Sequence, residues 1–181
     1  MSWIPNSDTN QPVPSACDRS SGFAPQAGSD ARILILGSLP SQRSIAQNEY
    51  YAHPQNAFWP MMAVIVAANG SYENRSAALQ QAGIALWDVL ASSVRHGSLD
   101  ADIQMSTAEV NNFEAFFGAH RKIRRVCFNG QKAATIFSSR VPQELVDGRI
   151  ELVTLPSTSP AHAAMSFQQK LELWQAALSP A

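Results

Sequence analysis

Cysteine is scarce: among 181 residues only Cys17 and Cys127 carry a thiol, and their separation matches no metal-ligand spacing. A cysteine-built zinc site or iron–sulfur cluster is thereby excluded, since either needs several thiolates in a tight register. Cys127 lies inside an apolar run, the usual setting of a reduced core residue. An excess of one charge is also missing, with 13 Lys and Arg against 14 Asp and Glu and a net charge of −1. That balance gives no global field able to coat nucleic acid by charge alone. It permits a local basic patch such as Arg121-Lys122 with Arg124-Arg125, which precedes an apolar run and reads as a solvated turn. No apolar stretch approaches the roughly twenty residues that span a bilayer. The N-terminus shows no basic segment followed by a hydrophobic one, so a cytoplasmic protein is expected. What is present is 45% apolar residues in a length that suits one α/β domain and is short for two.

Residues 1–30 are rich in Pro, Ser, Asn, Asp, Gln and Gly and show almost no periodic apolar pattern. They read as a flexible N-terminal tail, with Trp3 and Phe23 able to pin it locally, ahead of a single domain over 31–181. The domain opens with Ile33-Leu34-Ile35-Leu36, a strand-length β-branched run stopped by Gly37 and Pro40. Phe58, Met62 and Ile65 then recur at helical spacing, which predicts a helix from about Asn56 to Ala68, apolar nearly all round and so packed on both sides. Between them lies a long loop, 37–56, holding Tyr50, Tyr51, His53, Pro54 and Asn56; loops of that length in compact domains are usually functional or disordered.

Asn74–Ala82 predicts a short helix closed by Gly83, and Ile84–Leu90 a second strand. Ala91–Ser106 reads as a polar loop. Ser106 with Glu109 suggests a capping box for a helix buried through Val110, Phe113 and Phe117. Arg125–Phe128 predicts a third strand, turned by Asn129-Gly130 into a helix carrying Ala133, Ile136 and Phe137. Ile150–Leu155 is the fourth strand, followed at once by Pro156-Ser157-Thr158-Ser159-Pro160-Ala161-His162. The last helix has its own capping box, Ser166 with Gln169, and a stripe of Phe167, Leu171, Trp174 and Leu178. Strands alternating with helices imply a three-layer α/β/α fold around a mostly parallel four-stranded sheet. Ligands of such sheets bind beyond the carboxyl ends of the strands. Loops 37–56 and 156–162 both leave such ends, so a site between them follows from topology.

The loop GSLPS…YYAHPQNAFW, together with LPSTSPAHA after the last strand, resembles the uracil-DNA glycosylase superfamily. Within it the hypoxanthine (deoxyinosine) DNA glycosylase branch is the nearest likeness, with the mismatch-specific thymine/uracil glycosylases as neighbours. CFNGQKAATIF is similar to the corresponding segment of the latter. The resemblance covers roughly residues 22–178. It implies a uracil-DNA-glycosylase-like fold and a monofunctional, metal-free and cofactor-free monomer that excises deaminated bases from DNA. Hypoxanthine is the first substrate implied, with uracil or xanthine secondary. One departure stands out: the mismatch-specific enzymes carry a water-positioning asparagine where this chain has Leu39. The hypoxanthine branch lacks it too, so the water-activating group stays open.

A glycosylase must extrude a base, hold it and stabilise charge as the N-glycosidic bond breaks. Tyr51 matches the family's stacking aromatic, though it also reads as a ring that packs the loop; stacking is worth ~1–3 kcal/mol per base. Uracil and hypoxanthine share a lactam edge, a carbonyl beside an N–H, which one fixed carboxamide pairs bidentately. Asn56 is the candidate for that amide, and equally a candidate N-cap for the following helix. His53 reads as a water-orienting or proton-donating group or as a structural hydrogen-bonder. Gly37 and Ser38 offer backbone N–H groups to the departing base beside Leu39. Ser157, Thr158, Ser159 and His162 are expected at the DNA backbone. No lysine stands in either loop to form a Schiff base, so lyase activity is not expected. Two other readings compete: a non-catalytic module binding damaged DNA, and a serine hydrolase, the latter disfavoured because no GxSxG elbow is present.

Overall fold

The computed structural model describes residues 19–97, 99–146 and 148–179. Four parallel strands form the central sheet: β2 (Ile33–Gly37), β3 (Ile84–Asp88), β6 (Arg125–Asn129) and β7 (Glu151–Leu155), in the order β3-β2-β6-β7. β2 therefore occupies the interior, pairing Ile33 with both Ile84 and Arg125. All five of its residues are buried, as a strand covered on both faces requires. Side chains alternate between faces with the period of two. Leu34, Leu36, Ala85, Trp87, Val126 and Phe128 enter one apolar cluster, while Ile33, Ile35, Ile84, Leu86 and Cys127 enter the other.

Helices close both clusters. On one face stand α4 (Phe113–Ala119) and α5 (Gln131–Arg140), which contribute Phe113, Phe116, Phe117, Ile136 and Phe137. On the other stand α2 (Phe58–Val66), α3 (Tyr72–Gln81) and α6 (Phe167–Leu178), which contribute Phe58, Met61, Met62, Leu79, Leu171 and Trp174. This is the three-layer α/β/α arrangement with a parallel four-stranded sheet that the sequence predicts. Phe58, Met61, Met62 and Trp174 are fully buried, each stabilising the fold by about 1.5–3 kcal/mol of apolar transfer.

The differences from expectation are local. The apolar run Ile84–Leu90 is two strands: β3 stops at Asp88, and after Val89 the chain starts β4 (Leu90–Val94). β4 lies in a second, antiparallel sheet between β1 (Arg19–Ser21) and β5 (Glu109–Val110). The stretch read as a polar loop thus begins as a buried strand. Its serines tolerate burial because their hydroxyls are bonded: Ser92 Oγ donates to Glu109, and Ser93 Oγ donates to the Gln104 carbonyl. The Ser106–Glu109 capping box does not form. Asn112 caps α4 by accepting from Ala115 N, and Glu109 pairs with Arg19 instead. α2 is not packed all round, since Val64 is 57% exposed, and Phe167 at the first position of α6 points out at 45%. The Ser166–Gln169 box does cap α6.

Residues 19–30, placed in the tail by composition, are tied to the domain. β1 pairs with β4, Gln26 bridges Leu86, and the Trp87 indole donates to the Phe23 carbonyl. The earlier tail, including Trp3 and Cys17, lies outside the described residues. A short helix also interrupts the long loop: α1 (Gln42–Gln47), whose cap Ser41 accepts from Ser44 N. The basic turn before β6 sits at the amino rim of the sheet, where Arg124 N donates to the Arg32 carbonyl and Arg125 pairs with Glu151. Among the described residues no helix is long and apolar enough to cross a membrane.

Candidate active site

A cavity of about 560 Å³ opens at the carboxyl rim of the central sheet. Its wall includes every predicted site residue: Gly37, Ser38, Leu39, Tyr51, His53, Asn56, Ser157, Thr158, Ser159 and His162. The parallel register brings them together, because β2 and β7 release their loops at the same end with only β6 between them. A backbone bond from Ala57 N to the Thr158 carbonyl (3.0 Å) joins the two loops directly.

Tyr51 is held in the left-handed region at φ 54°, a conformation that a bulky residue adopts only when its surroundings impose it and that clusters at functional sites. Those surroundings are visible. Tyr50 is core, 1% exposed, with its carbonyl accepting from the Trp59 indole and its N–H donating to Tyr72 Oη. Ala52 N donates to Ser44 Oγ. Pinned on both sides, Tyr51 turns its ring against Phe58 (centroids 4.1 Å apart) and along the cavity wall. Its hydroxyl is buried and has no hydrogen-bond partner, and burial pushes its pKa up.

Asn56 makes a helix-start hydrogen bond with one end of its amide and leaves the other end free. Its Oδ1 accepts from Phe58 N at 3.0 Å, at the first turn of α2; the flanking residue Ala57 makes no side-chain cap of its own. That bond fixes which end of the carboxamide is oxygen and leaves Nδ2 as the end available to a ligand. His53 Nδ1 accepts from Gln55 N (3.2 Å), a structural bond that leaves Nε2 uncommitted. Ser38 Oγ donates to Asp100 Oδ1 at the mouth. Leu39 is 6% exposed and belongs to the apolar cluster under the rim, so the position that bears an amide in the mismatch-specific enzymes is here a packing residue.

Within the second loop the expected DNA contacts divide. Ser157 Oγ and Ser159 Oγ accept from backbone N–H groups two residues on, which leaves their hydroxyl protons free to donate. His162 is exposed, and its carbonyl accepts from the buried Lys170 Nζ at 2.7 Å, which pins the end of the loop to α6. Thr158 does not fit the expectation of a phosphate contact. It is 1% exposed, its Oγ1 accepts from Asn129 Nδ2 (2.8 Å), and its N–H donates to Asn129 Oδ1 (2.9 Å). Thr158 is a clamp between β6 and β7, not a surface donor. Gly130, at φ 99°, is required beside it: a Cβ there would lie 3.0 Å from Ser157 Cβ.

Among the wall residues that sequence reasoning missed are Asp88, Asn129, Lys132 and Arg43. Asp88 and Asn129 are the last residues of β3 and β6, so the rim rule that selected the two loops also pointed at them. Asp88 is 2% exposed, and burial raises its pKa to about 7 against the opposing effects of Tyr50 and Arg95. Lys132 enters from the first turn of α5 and Arg43 from α1, giving the mouth two cations in a chain with almost no net charge. Among the described residues no cluster of three metal-ligating side chains is present.

Comparison with known proteins finds relatives over most of the chain. Hypoxanthine DNA glycosylase of Methanosarcina acetivorans is 35% identical over 159 residues, covering 86% of this chain and 95% of that protein. Hypoxanthine DNA glycosylase of Methanosarcina barkeri is 37% identical over 115 residues, covering 62% and 72%. A solution NMR structure of a candidate uracil DNA glycosylase from Methanosarcina acetivorans superposes with a TM-score of 0.73 at 32% identity, covering 88% of this chain and 96% of that one. The family profile of the uracil DNA glycosylase superfamily matches residues 25–178, and the chain belongs to that superfamily.

Proposed function

We propose that the protein is a monofunctional DNA glycosylase of base-excision repair that hydrolyses the N-glycosidic bond of deaminated bases, hypoxanthine first, and leaves an abasic site. The observation that carries this reading is the pairing of Tyr51 and Asn56 on one cavity wall at the carboxyl rim. An extruded base stacks on the Tyr51 ring, which the left-handed backbone holds in place before the base arrives. The Asn56 carboxamide, oriented by the Phe58 N–H, offers Nδ2 to the O6 of hypoxanthine or the O4 of uracil. The remaining lone pair of its Oδ1 is open to the adjacent N–H of the lactam. Adenine and cytosine present the opposite edge, and a fixed amide leaves their polar atoms unpaired, which is how such sites reject analogues strongly.

Around the cavity, Ser157 and Ser159 have hydroxyl protons for phosphate oxygens, and Lys132 and Arg43 supply the charge that such contacts favour. His53 Nε2 stands free to orient water at the wall. The protein acts as a monomer in the cytoplasm, where its substrate DNA is met without crossing a membrane.

The test is incubation with duplexes carrying single deoxyinosine, deoxyuridine or deoxyxanthosine residues, followed by alkali. Strand scission at deoxyinosine only after alkali is expected. Tight binding without scission would replace the enzyme by a damage-binding module. Scission without alkali would implicate a Schiff base at Lys132, the lysine that borders the cavity.

A further inference from the structure

One buried group of the cavity wall has no part in that scheme. The Asp88 carboxyl stands at the end of β3 beside Gly37 of β2, its pair in the ladder. A Cβ on Gly37 would fall 2.6 Å from Asp88 Oδ1 and 3.2 Å from the Tyr51 hydroxyl. Carboxyl and phenol therefore converge over a rim residue that has no side chain, and Gly37 is what lets them approach. Neither Asp88 Oδ2 nor the hydroxyls of Tyr50 and Tyr51 have a hydrogen-bond partner, although all are buried. Buried polar atoms in native proteins are nearly always paired. The Tyr50 hydroxyl turns toward the Asp88 carboxyl, while Asp88 Oδ2 and the Tyr51 hydroxyl border the cavity and are left for something else to complete.

We propose, on the reading that the enzyme excises hypoxanthine, that Asp88 is a further catalytic residue: its protonated carboxyl donates a hydrogen bond to an acceptor on the edge of the flipped purine. A base stacked on Tyr51 turns its edge toward the point where the Tyr51 hydroxyl and Asp88 meet. With the lactam held by Asn56, hypoxanthine still presents acceptors, O6 and N7, to a second donor. An ionised carboxylate has no proton to give and would repel those lone pairs. As the C1′–N9 bond breaks, its electron pair passes into the ring and enriches O6 and the ring nitrogens. Water forms the new bond to C1′ and releases its proton to solvent, while the Asp88 O–H stabilises the departing anion without leaving its oxygen. The bond strengthens as charge develops, the condition for lowering a barrier.

The surroundings support a neutral carboxyl near pH 7. Burial raises its pKa to about 7, the Asp100 charge from the mouth adds to the rise, and Tyr50 and Arg95 oppose it. The groups facing Asp88 are Tyr50 and Tyr51 from the first loop, Arg95 following β4, and Asp100 from the turn beyond it. Arg95 is 2% exposed and donates to the Pro40 carbonyl, with Nε and Nη1 unpartnered.

Single-turnover excision of deoxyinosine, followed from pH 5.5 to 9 in the wild type, Asp88→Asn and Asp88→Ala, tests the proposal. The wild-type rate should fall as pH rises past about 7. Asp88→Asn keeps a neutral donor, so it should stay within about tenfold of the wild type at low pH and lose that fall. Asp88→Ala should lose roughly 10²–10³-fold, the usual cost of one such donor. An Asp88→Asn variant that is folded by circular dichroism yet as inactive as Asp88→Ala would overturn the proposal and make the carboxylate a base. If neither variant folds, a wild-type rate that stays flat or rises above pH 7 overturns it. A wild type that excises no deoxyinosine at any pH would instead refute the glycosylase reading, a separate result.

Discussion

On the proposed function, Asn56 is where stability and catalysis share one side chain, and the two are separable by substitution. Its Oδ1 accepts from Phe58 N at the start of α2, while Nδ2 is assigned to the base. Replacing it with alanine removes both functions. Loss of that hydrogen bond costs about 1 kcal/mol, which in a domain of this size lowers Tm by about 2–4 °C. That leaves the protein almost wholly folded at 25 °C. The same change removes a donor aimed at the base, with an expected loss of roughly 10²–10³-fold in single-turnover excision. Asn56→Asp divides these effects. A carboxylate oxygen still accepts from Phe58 N, and a negative charge at a helix N-terminus adds about 0.3–1 kcal/mol. It has no donor and sets negative charge against O6. Asn56→Asp should therefore melt at or above the wild-type temperature and excise as poorly as Asn56→Ala. Thermal melting paired with single-turnover cleavage of a deoxyinosine duplex reads both quantities. Wild-type excision by Asn56→Asp would refute the assignment. So would activity in Asn56→Ala that falls only in proportion to the unfolded fraction.

Three further outcomes follow from the same geometry. Tyr51→Ala should slow single-turnover excision by the ~1–3 kcal/mol of lost stacking, with Tyr51→Phe close to wild type; equal rates in all three proteins would remove the ring from the site. Thr158→Val keeps the shape but leaves the buried Asn129 amide without its acceptor, so urea unfolding should show about 1–3 kcal/mol of destabilisation, and an unchanged midpoint would contradict the clamp. Asp88, whose folded pKa lies above its unfolded value, contributes stability that is complete below about pH 4 and lost as pH rises through about 7. Asp88→Asn should accordingly gain stability relative to the wild type at pH 8, by up to about 4 kcal/mol, since each tenfold change in proton affinity is worth ~1.4 kcal/mol. It should gain little at pH 4; a difference independent of pH would show that the group does not titrate on unfolding.

The layers and the rim were legible in the sequence because short apolar runs and helical stripes leave few other solutions. Ile33–Leu36 with Arg125–Phe128 and Ile150–Leu155 announces a buried parallel sheet, and topology then fixes which loops meet. Local chemistry was harder to read. The run Ile84–Leu90 carries no glycine or proline at its break, so Asp88 passed as an interruption within one strand. The serines of β4 look like loop residues until their partners Arg19, Glu109 and Gln104 arrive from elsewhere in the chain. Thr158 and Ser159 are neighbours of similar type, yet one is buried and one is not. Only Asn129, 29 positions upstream, accounts for the difference. Asn56 offered a choice between cap and contact that no sequence pattern could decide, because it involves separate atoms of one amide.

Asn129 and Thr158 hold each other by two hydrogen bonds on the cavity wall, one of them to the backbone of the segment that leaves β7. The end of β6 and the segment 156–162 are thus a single mechanical part of the cavity wall. Transplanting 156–162 from a relative would replace both partners of the Asn129 amide, so that segment and the end of β6 can be redesigned only as a pair.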